Sequence, residues 1–217
     1  GVDLGGRKNI LGAFYQRKLV HINIETLKTL PEREFWAGMA EVIKYGLILS
    51  EDFYDYITEN KQRIKNGESA VMERLVSECC LFKSKVVAED EKESGLREIL
   101  NFGHTIGHAI ESVKNFELLH GECVGIGMVA AMYISYKRNA ISLEKLSQFK
   151  DLLEYFNIPI KTNGISADDV YNMMFNDKKV KDNKIGFVLL SKLGKCYSTT
   201  DVSEEEILEA INYVICD

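Results

Sequence analysis

Several kinds of sequence feature are scarce or missing in this chain of 217 residues. It has two prolines, and its five cysteines form no C-x-x-C pair, which argues against a disulfide framework and against a thiolate zinc site. No stretch approaches the roughly 18 apolar residues that a membrane-spanning helix needs. The basic residues are dispersed and the net charge is -6, a pattern that disfavours nucleic-acid binding. We therefore expect a cytoplasmic protein without a membrane or nucleic-acid partner.

The distribution of apolar residues, which make up 46% of the chain, predicts a mainly α-helical fold with a sizeable core. Helices are expected at 32–48, 51–64, 68–90, 97–114, 121–139, 143–156 and 166–176. A short β-hairpin is predicted around Leu193 and Gly194. A last helix is expected after Ser203, which is predicted to form a capping box with Glu206.

The first 30 residues have a different pattern. Glycines in loop-like settings precede an alternating strand at 19–24, and Pro31 then opens the helical region. A lone strand is not stable without partners. We therefore assign residues 1–30 to the remnant end of a sheet domain and its connection, and residues 31–217 to a helical domain.

Residues 97–112 carry two of the four histidines, His104 and His108, each directly after a glycine. On one continuous helix, five polar side chains share an arc opposite the apolar face: Arg97, Asn101, His104, His108 and Glu111. These residue types serve metal ligation, proton transfer and anion binding. Glycine costs about 1 kcal/mol in a helix, so Gly103 and Gly107 indicate a close approach by another group. The alternative is two hydrogen-bonded histidines on a partly buried helix.

Two lysines present a similar choice. Glu41 and Lys44 share a helix face at a spacing of three residues, and they form either part of a site or a common exposed ion pair. Lys83 falls inside the apolar arc of its helix, whereas Lys85 falls outside it. Because lysine is almost never buried without a partner, Lys83 either reaches the rim of the protein or points into a pocket that holds an anion.

Residues from several segments make one consistent set. His120 precedes a glycine- and alanine-rich helix, where an ordinary helix-entry histidine is the simpler interpretation. Together with Glu41, His104 and His108, however, it offers imidazoles and a carboxylate, and two imidazoles and a carboxylate with an open position are typical of a zinc centre. The lysines, and the basic run at 176–184 if it is more than a solvated loop, imply an anionic substrate.

Five stretches closely resemble the 3-dehydroquinate synthases of the shikimate pathway, and the resemblance runs through essentially the whole chain. They are KNILGAFYQ (8–16), TLPEREFWAGMAEVIKYGLI (29–48), EDEKESGLREILNFGHTIGHAIE (89–111), LHGE (119–122), and DKKV followed by KIGFVLL (177–190). The resemblance implies an N-terminal Rossmann-like domain that binds NAD and a C-terminal helical domain that carries zinc. Residues 1–30 would then be the end of the NAD-binding domain.

The resemblance also implies a reaction. A small anionic sugar phosphate, 3-deoxy-D-arabino-heptulosonate 7-phosphate, would be converted to 3-dehydroquinate and phosphate. NAD would oxidise one secondary alcohol transiently, phosphate would be eliminated, the ketone would be reduced again, and the ring would close by aldol addition. Zinc, with Co2+ as an alternative, would hold the hydroxyl that is oxidised.

Carried over position by position, the resemblance implies that Glu41, His104 and His120 are the metal ligands. His108 would be the acid/base residue on the phosphate side of the substrate. The other implied substrate-binding positions are Lys8, Asn9, Lys44, Lys83, Arg97, Asn101 and one of Lys178 and Lys179; of these, Lys44 and Asn101 would also take part in catalysis. Lys8 and Asn9 would be this chain's contribution to the cofactor site.

Two departures from the family pattern affect these expectations. The family usually reads FYQPK where this chain has Arg17 after Gln16, so a turn proline is lost. The glycine-rich NAD loop, an acidic residue near the substrate and one substrate lysine are expected outside this sequence. We therefore expect an isolated C-terminal domain that does not complete the reaction alone, and a homodimer for the full-length enzyme.

Three other functions remain open from the sequence. Related sugar-phosphate cyclases that make aminocyclitol precursors share the implied mechanism and many of the motifs. Metal-dependent alcohol and glycerol dehydrogenases share the implied architecture, but they act on small neutral alcohols, which the candidate anion-binding residues disfavour. A non-catalytic helical interaction module would bind no metal and would leave the polar arc at 97–111 unexplained.

Overall fold

The computed structural model of the chain describes residues 2–4, 7–12, 18–90, 95–175 and 185–216, with side chains from Leu11 onward. Two 3-10 helices, Ile24–Thr29 and Leu96–Asn101, accompany the longer elements. In chain order, the strands and α-helices are β1 (Val2–Leu4), β2 (Arg7–Leu11), α1 (Glu32–Leu49), α2 (Glu51–Glu59), α3 (Lys61–Lys65), α4 (Ser69–Glu89), α5 (His104–Val113), α6 (His120–Lys137), α7 (Leu143–Tyr155), β3 (Thr162–Asn163), α8 (Ala167–Met174), β4 (Phe187–Lys192), β5 (Lys195–Thr199), α9 (Glu204–Val214) and β6 (Ile215–Cys216).

The predicted mainly α-helical fold class is confirmed. Most predicted helices end within a few residues of the observed ones, although the helix expected at 51–64 is divided into α2 and α3 at Asn60. The hairpin forms from β4 and β5, which pair antiparallel. The capping box before α9 is present, with Ser203 and Glu206 each bonded to the other's backbone N–H. None of the helices in the described ranges is long and apolar enough to cross a membrane.

Helix α6 lies at the centre of the core. Every residue from Gly121 to Met132 is buried, which is the expected position of a helix that is apolar on all sides. It packs against α1, α5, α7, α9 and strand β4. Fully buried side chains from these neighbours surround it, among them Ile43, Leu47, Ile106, Ile110 and Phe149.

Glycines allow α5 and α6 to pack so closely that their backbones are in contact. An added Cβ on Gly127 of α6 would overlap the carbonyl oxygen of Gly103, and one on Gly107 would lie 2.8 Å from the carbonyl oxygen of Cys123. Gly103 also has a φ of 78°, which L side chains rarely adopt. The close approach predicted at Gly103 and Gly107 is therefore confirmed, and the approaching group is helix α6.

Gly127→Ala should lower the free energy of unfolding by about 1–3 kcal/mol, the usual cost of forcing extra volume into a packed core. The matched control is Gly38→Ala in α1, where an added Cβ meets no atom within 4 Å. That change should be neutral or stabilising by up to about 1 kcal/mol, because alanine favours helix more than glycine does. Chemical denaturation measures both variants, and an equal effect would contradict the close α5–α6 packing.

The prediction of one continuous helix at 97–114 is wrong. Leu96–Asn101 is a 3-10 helix, Phe102 and Gly103 form a turn in which Gly103 is left-handed, and only then does α5 begin. The apolar periodicity continues across this break because Ile99 and Phe102 are both buried. The apolar residues of the 3-10 helix and of α5 therefore both face the core, although the two elements do not form one helix.

The predicted strand at 19–24 is also wrong. Residues 19–23 have no regular secondary structure, and the Asn23 side chain accepts a hydrogen bond from the Glu25 N–H at the start of a 3-10 helix. Leu19 is 83% exposed, so the alternating pattern has no core to face. The strands in this region are β1 and β2, which pair antiparallel where glycines were expected to form loops.

Candidate active site

Helices α1 and α6 touch where they carry two of the candidate metal ligands. An added Cβ on Gly121 would overlap the carbonyl oxygen of Ala37. Gly121 directly follows His120, and Ala37 lies one helical turn before Glu41. The close backbone contact therefore brings the Glu41 carboxylate and the His120 imidazole to the same place from two helices.

An ion pair holds the same two helix ends together. The Nε and Nη2 atoms of Arg33, on α1, donate to the two carboxylate oxygens of Glu122, on α6, at 2.7 and 2.6 Å. Glu122 also accepts a hydrogen bond from the backbone N–H of Leu119 at 2.8 Å. Bidentate pairing of this kind fixes relative orientation as well as distance. It stabilises the start of α6, where His120 lies.

Glu41 and Lys44 do not form the exposed ion pair that the spacing alone allowed. The Nζ atom of Lys44 lies 2.6 Å from Oε2 of Glu41, and the Lys44 side chain is only 3% exposed. Burial lowers the pKa of Lys44, while the charge of Glu41 and its hydrogen bond oppose that change. The site therefore has a poorly hydrated cation at its base, and such a cation attracts anionic groups more strongly than a solvated one.

His104 is held as a neutral imidazole with a defined tautomer. Its Nδ1 atom lies 3.1 Å from the backbone carbonyl oxygen of Phe102. A carbonyl only accepts hydrogen bonds, so we assign the proton to Nδ1 and the lone pair to Nε2. Burial, and after it the charge of Lys44, lowers the pKa of His104 to about 2. A neutral imidazole with a directed lone pair is what a metal ligand requires.

The Oε1 atom of Glu41 has an environment that suits a cation. Among the described residues it is buried and has no hydrogen-bond partner. It lies 3.4 Å from Nε2 of His104 and 4.0 Å from Nε2 of His120. Two ligands at about 2.1 Å from a tetrahedral zinc ion are themselves about 3.4 Å apart. The separation from His104 matches this value and the separation from His120 is longer, so these residues could hold a divalent metal, which would also satisfy the orphaned oxygen.

His108 lies beside this group. The ring centroids of His104, His108 and His120 are 5.3 to 5.5 Å apart, and their possible ligand atoms lie within 4.8 Å of one another. Three imidazoles could therefore hold a metal without a carboxylate. The set that includes Glu41 would satisfy the buried oxygen, and it leaves the half-buried His108 imidazole available for proton transfer.

Arg97 and Asn101 lie on the 3-10 helix before α5, so the predicted polar arc is divided between two elements. Both side chains are half-buried. The carboxylate of the buried Asp90 accepts hydrogen bonds from the backbone N–H groups of Gly95 and Arg97 at 2.8 and 2.9 Å, which fixes the start of this 3-10 helix. The 3-10 helix packs against α1 and α4, and α1 carries the Glu41–Lys44 pair.

The prediction that Lys83 lies inside a buried arc is wrong, because Lys83 is exposed. The buried residues of α4 are Val71, Met72, Leu75 and Val86, and they define a narrower arc that has Lys83 at its edge. Leu81, on the far side of the helix from Lys83, is 47% exposed. Lys83 nevertheless lies close enough to Lys44 for its charge to help lower the pKa of Lys44, an effect smaller than that of burial.

Some candidate residues lie outside the described part of the chain. Lys178 and Lys179 fall in the range 176–184, which the structure does not describe. The backbone of Lys8 and Asn9 belongs to β2, but their side chains are outside the described set. Their predicted contacts with substrate and cofactor remain predictions.

The sequence analysis gives no individual role to three charged residues that lie near this site. Arg33 and Glu122 join α1 to α6, and nothing local in the sequence shows a pair 89 residues apart. Glu111 was grouped with the polar arc but without a function. Its Oε2 atom lies 3.5 Å from Nδ1 of His120, and the signal available was its position seven residues after His104 on the same face.

Comparisons with known proteins all point to one family. A family model described as 3-dehydroquinate synthase C-terminal matches residues 38–180, and one described as 3-dehydroquinate synthase N-terminal matches residues 1–37. The chain is 50% identical over 212 residues to the 3-dehydroquinate synthase of Acetivibrio thermocellus, covering 97% of this chain and 59% of that protein. For the 3-dehydroquinate synthase of Ruminiclostridium cellulolyticum the identity is 48%, with coverages of 97% and 58%.

Solved structures share the fold. ValA, a 2-epi-5-epi-valiolone synthase from Streptomyces hygroscopicus with NAD+ and Zn2+ bound, superimposes with a TM-score of 0.86 at 22% identity, over 95% of this chain and 58% of that one. A 2-deoxy-scyllo-inosose synthase complexed with carbaglucose-6-phosphate, NAD+ and Co2+ gives 0.80 at 28% identity, with coverages of 98% and 61%. The chain spans about three fifths of the length of the curated relatives it matches. The chain belongs to the 3-dehydroquinate synthase family.

Proposed function

We propose that this chain carries the metal- and substrate-binding part of a 3-dehydroquinate synthase. The reaction is the conversion of 3-deoxy-D-arabino-heptulosonate 7-phosphate to 3-dehydroquinate and phosphate, with NAD used and regenerated in each turnover. The names of relatives 40–50% identical to most of this chain support this choice over other cyclases. We place the reaction in the cytoplasm and expect the full-length enzyme to be a homodimer.

Within this proposal, residues 1–30 are the end of the NAD-binding domain and its connection, and residues 31–217 are the helical metal- and substrate-binding domain. The N-terminal family model matches residues 1–37, which supports a boundary near Pro31. Lys8 and Asn9 contribute to the substrate and cofactor side of the interdomain cleft. The rest of the NAD site belongs to the N-terminal part of the family's enzymes.

The observation that carries the proposal is the buried Oε1 atom of Glu41, an acceptor that faces Nε2 of His104 and Nε2 of His120. Acceptor atoms from three side chains face one another there, and a cation between them would compensate the buried carboxylate oxygen that has no hydrogen-bond partner among the described residues. When bound, zinc or cobalt supplies a Lewis acid that lowers the pKa of a substrate hydroxyl. A non-catalytic helical interaction module would not explain this arrangement of acceptor atoms.

The remaining residues handle the charges and protons of the substrate. The buried Lys44 ammonium orients the Glu41 carboxylate and offers its other N–H groups to substrate oxygens. Asn101 and Arg97, on the neighbouring 3-10 helix, bind hydroxyl and anionic groups, as do Lys83 and one of Lys178 and Lys179. The His108 imidazole takes or gives a proton on the phosphate side of the substrate, where an imidazole is suited to work near neutral pH.

Product formation tests this function. The chain is assayed alone and after mixing with the N-terminal, NAD-binding part of the Acetivibrio thermocellus relative, and we refer to the mixture as the reconstituted enzyme. We expect phosphate release and 3-dehydroquinate from the reconstituted enzyme and neither from the chain alone. Turnover of another sugar phosphate to a cyclitol in place of this reaction would identify a related cyclase. A chain that is fully active by itself would contradict the division of the site between two domains.

A further inference from the structure

We propose that Glu111 is a positioning residue that sets the tautomer and orientation of His120, and through them the affinity of the site for metal. The inference rests on the proposed function, because it concerns the same metal position. It gives a defined task to a carboxylate that is not itself expected to touch metal or substrate.

The position of Glu111 is unusual for an acidic residue. Its side chain is 8% exposed, and its Oε2 atom lies 3.5 Å from Nδ1 of His120, which comes from the neighbouring helix. A buried carboxylate is costly unless polar groups compensate it, and an imidazole N–H is a suitable donor. Cys123 lies nearby, and burial, together with the charge of Glu111, raises the pKa of its thiol to about 12. The thiol therefore stays neutral and adds no second negative charge.

The contact determines which nitrogen of His120 carries the proton. An ionised carboxylate only accepts hydrogen bonds, so Glu111 favours the proton on Nδ1 and leaves the lone pair on Nε2. That Nε2 atom is the one that lies 4.0 Å from Oε1 of Glu41. The opposite tautomer would direct an N–H group at Glu41 and occupy the position of the metal.

The two imidazoles then have the same tautomer for two different reasons. The buried His104 is fixed by the backbone carbonyl oxygen of Phe102, which no side-chain substitution removes. His120 is 43% exposed, so solvent would otherwise allow it either tautomer and a range of ring orientations. The Nδ1–Oε2 separation of 3.5 Å is longer than an ideal hydrogen bond, and the exposed ring has room to rotate toward Glu111.

Zinc titration by calorimetry on the whole chain gives the first test. Removing an outer partner of a metal-ligating histidine commonly costs about 10- to 100-fold in metal affinity, and we expect a loss in that range for Glu111→Ala. Glu111→Gln should lose less, because its amide oxygen can still accept from Nδ1. The matched control is Glu117→Gln, which removes the same charge from an exposed side chain paired with Lys114 and should leave zinc affinity unchanged.

The second test reads the tautomer directly and needs no metal. Long-range proton–nitrogen NMR of the imidazoles at alkaline pH should show the proton of His120 on Nδ1 in the unchanged chain. In Glu111→Ala it should move largely to Nε2, while His104 keeps its tautomer. A loss of structure would alter both histidines together, so the unaffected His104 signal separates positioning from unfolding.

The two measurements also separate this inference from the proposed function. If the unchanged chain binds zinc, but both Glu111 variants bind it equally well and His120 keeps its tautomer, the role of Glu111 is wrong and the metal site stands. If the unchanged chain binds no zinc, the proposed function is in error, whereas a tautomer shift in Glu111→Ala would still support the contact with His120.

Discussion

Zinc binding to this chain should weaken by at least about 100-fold in His104→Ala and in His120→Ala, and by less than about tenfold in His108→Ala. Zinc sites with four ligands bind with about 10–16 kcal/mol, which is roughly 3 kcal/mol for each ligand, or about two orders of magnitude in affinity. His108 lies beside the metal position but is not one of the three acceptors that converge on it. Calorimetric titration of the purified variants measures the three affinities.

The fourth histidine of the chain provides the control for this series. His21 is exposed and lies before the first 3-10 helix, so His21→Ala should bind zinc like the unchanged chain. Equal losses in His104→Ala, His108→Ala and His120→Ala would contradict the division of roles and would favour a centre made of three imidazoles.

Lys44→Met should lower kcat/KM of the reconstituted enzyme by about 10- to 150-fold without lowering zinc affinity. A hydrogen bond from a charged group is worth about 1.5–3 kcal/mol, which corresponds to that range in rate. Methionine keeps the packing of the buried stem but removes the cation. Zinc affinity should be retained because a positive charge next to the metal position repels a second cation.

A second lysine of comparable pairing controls for a general loss of positive charge. Lys137 pairs with Glu209 at 2.8 Å but lies at the far end of α6, roughly 25 Å along the helix from His120. Lys137→Met should therefore leave kcat/KM unchanged. If Lys44→Met abolishes zinc binding, then Lys44 acts mainly by holding Glu41 in place, and its proposed contact with substrate loses its support.

The residue types of the site could be predicted from the sequence because their chemistry is local. Histidines after glycines, and a carboxylate three residues before a lysine, are visible without a structure. The burial of these residues, in contrast, cannot be predicted from the sequence alone. Lys44 is 3% exposed because of what packs around α1, and a spacing of three residues is equally typical of an exposed ion pair.

The break before α5 shows a limit of periodicity. Ile99 and Phe102 are buried on the same side as the apolar residues of α5, so the hydrophobic pattern continues through a change of direction in the backbone. Gly103 was the available signal, since its positive φ is a common reason for glycine at a turn. Gly103 also makes the close contact that the sequence predicts, but it does so in the turn before α5 and not within a helix.

Lys83 shows a second limit. A helical projection gives the direction of the apolar arc, but its width depends on which elements cover the helix. In α4 the covered arc includes Leu75 and Val86 and stops short of Lys83. Contacts between distant segments, such as Arg33 with Glu122, likewise depend on the whole fold and cannot be predicted from the local sequence.

A crystal structure of this chain grown with zinc, with anomalous diffraction recorded at the zinc absorption edge, would locate the metal directly. We expect one strong anomalous peak about 2.0–2.2 Å from Oε1 of Glu41, Nε2 of His104 and Nε2 of His120, with His108 near it but not bound. A peak coordinated by the three imidazoles, with Glu41 paired only to Lys44, would contradict this expectation.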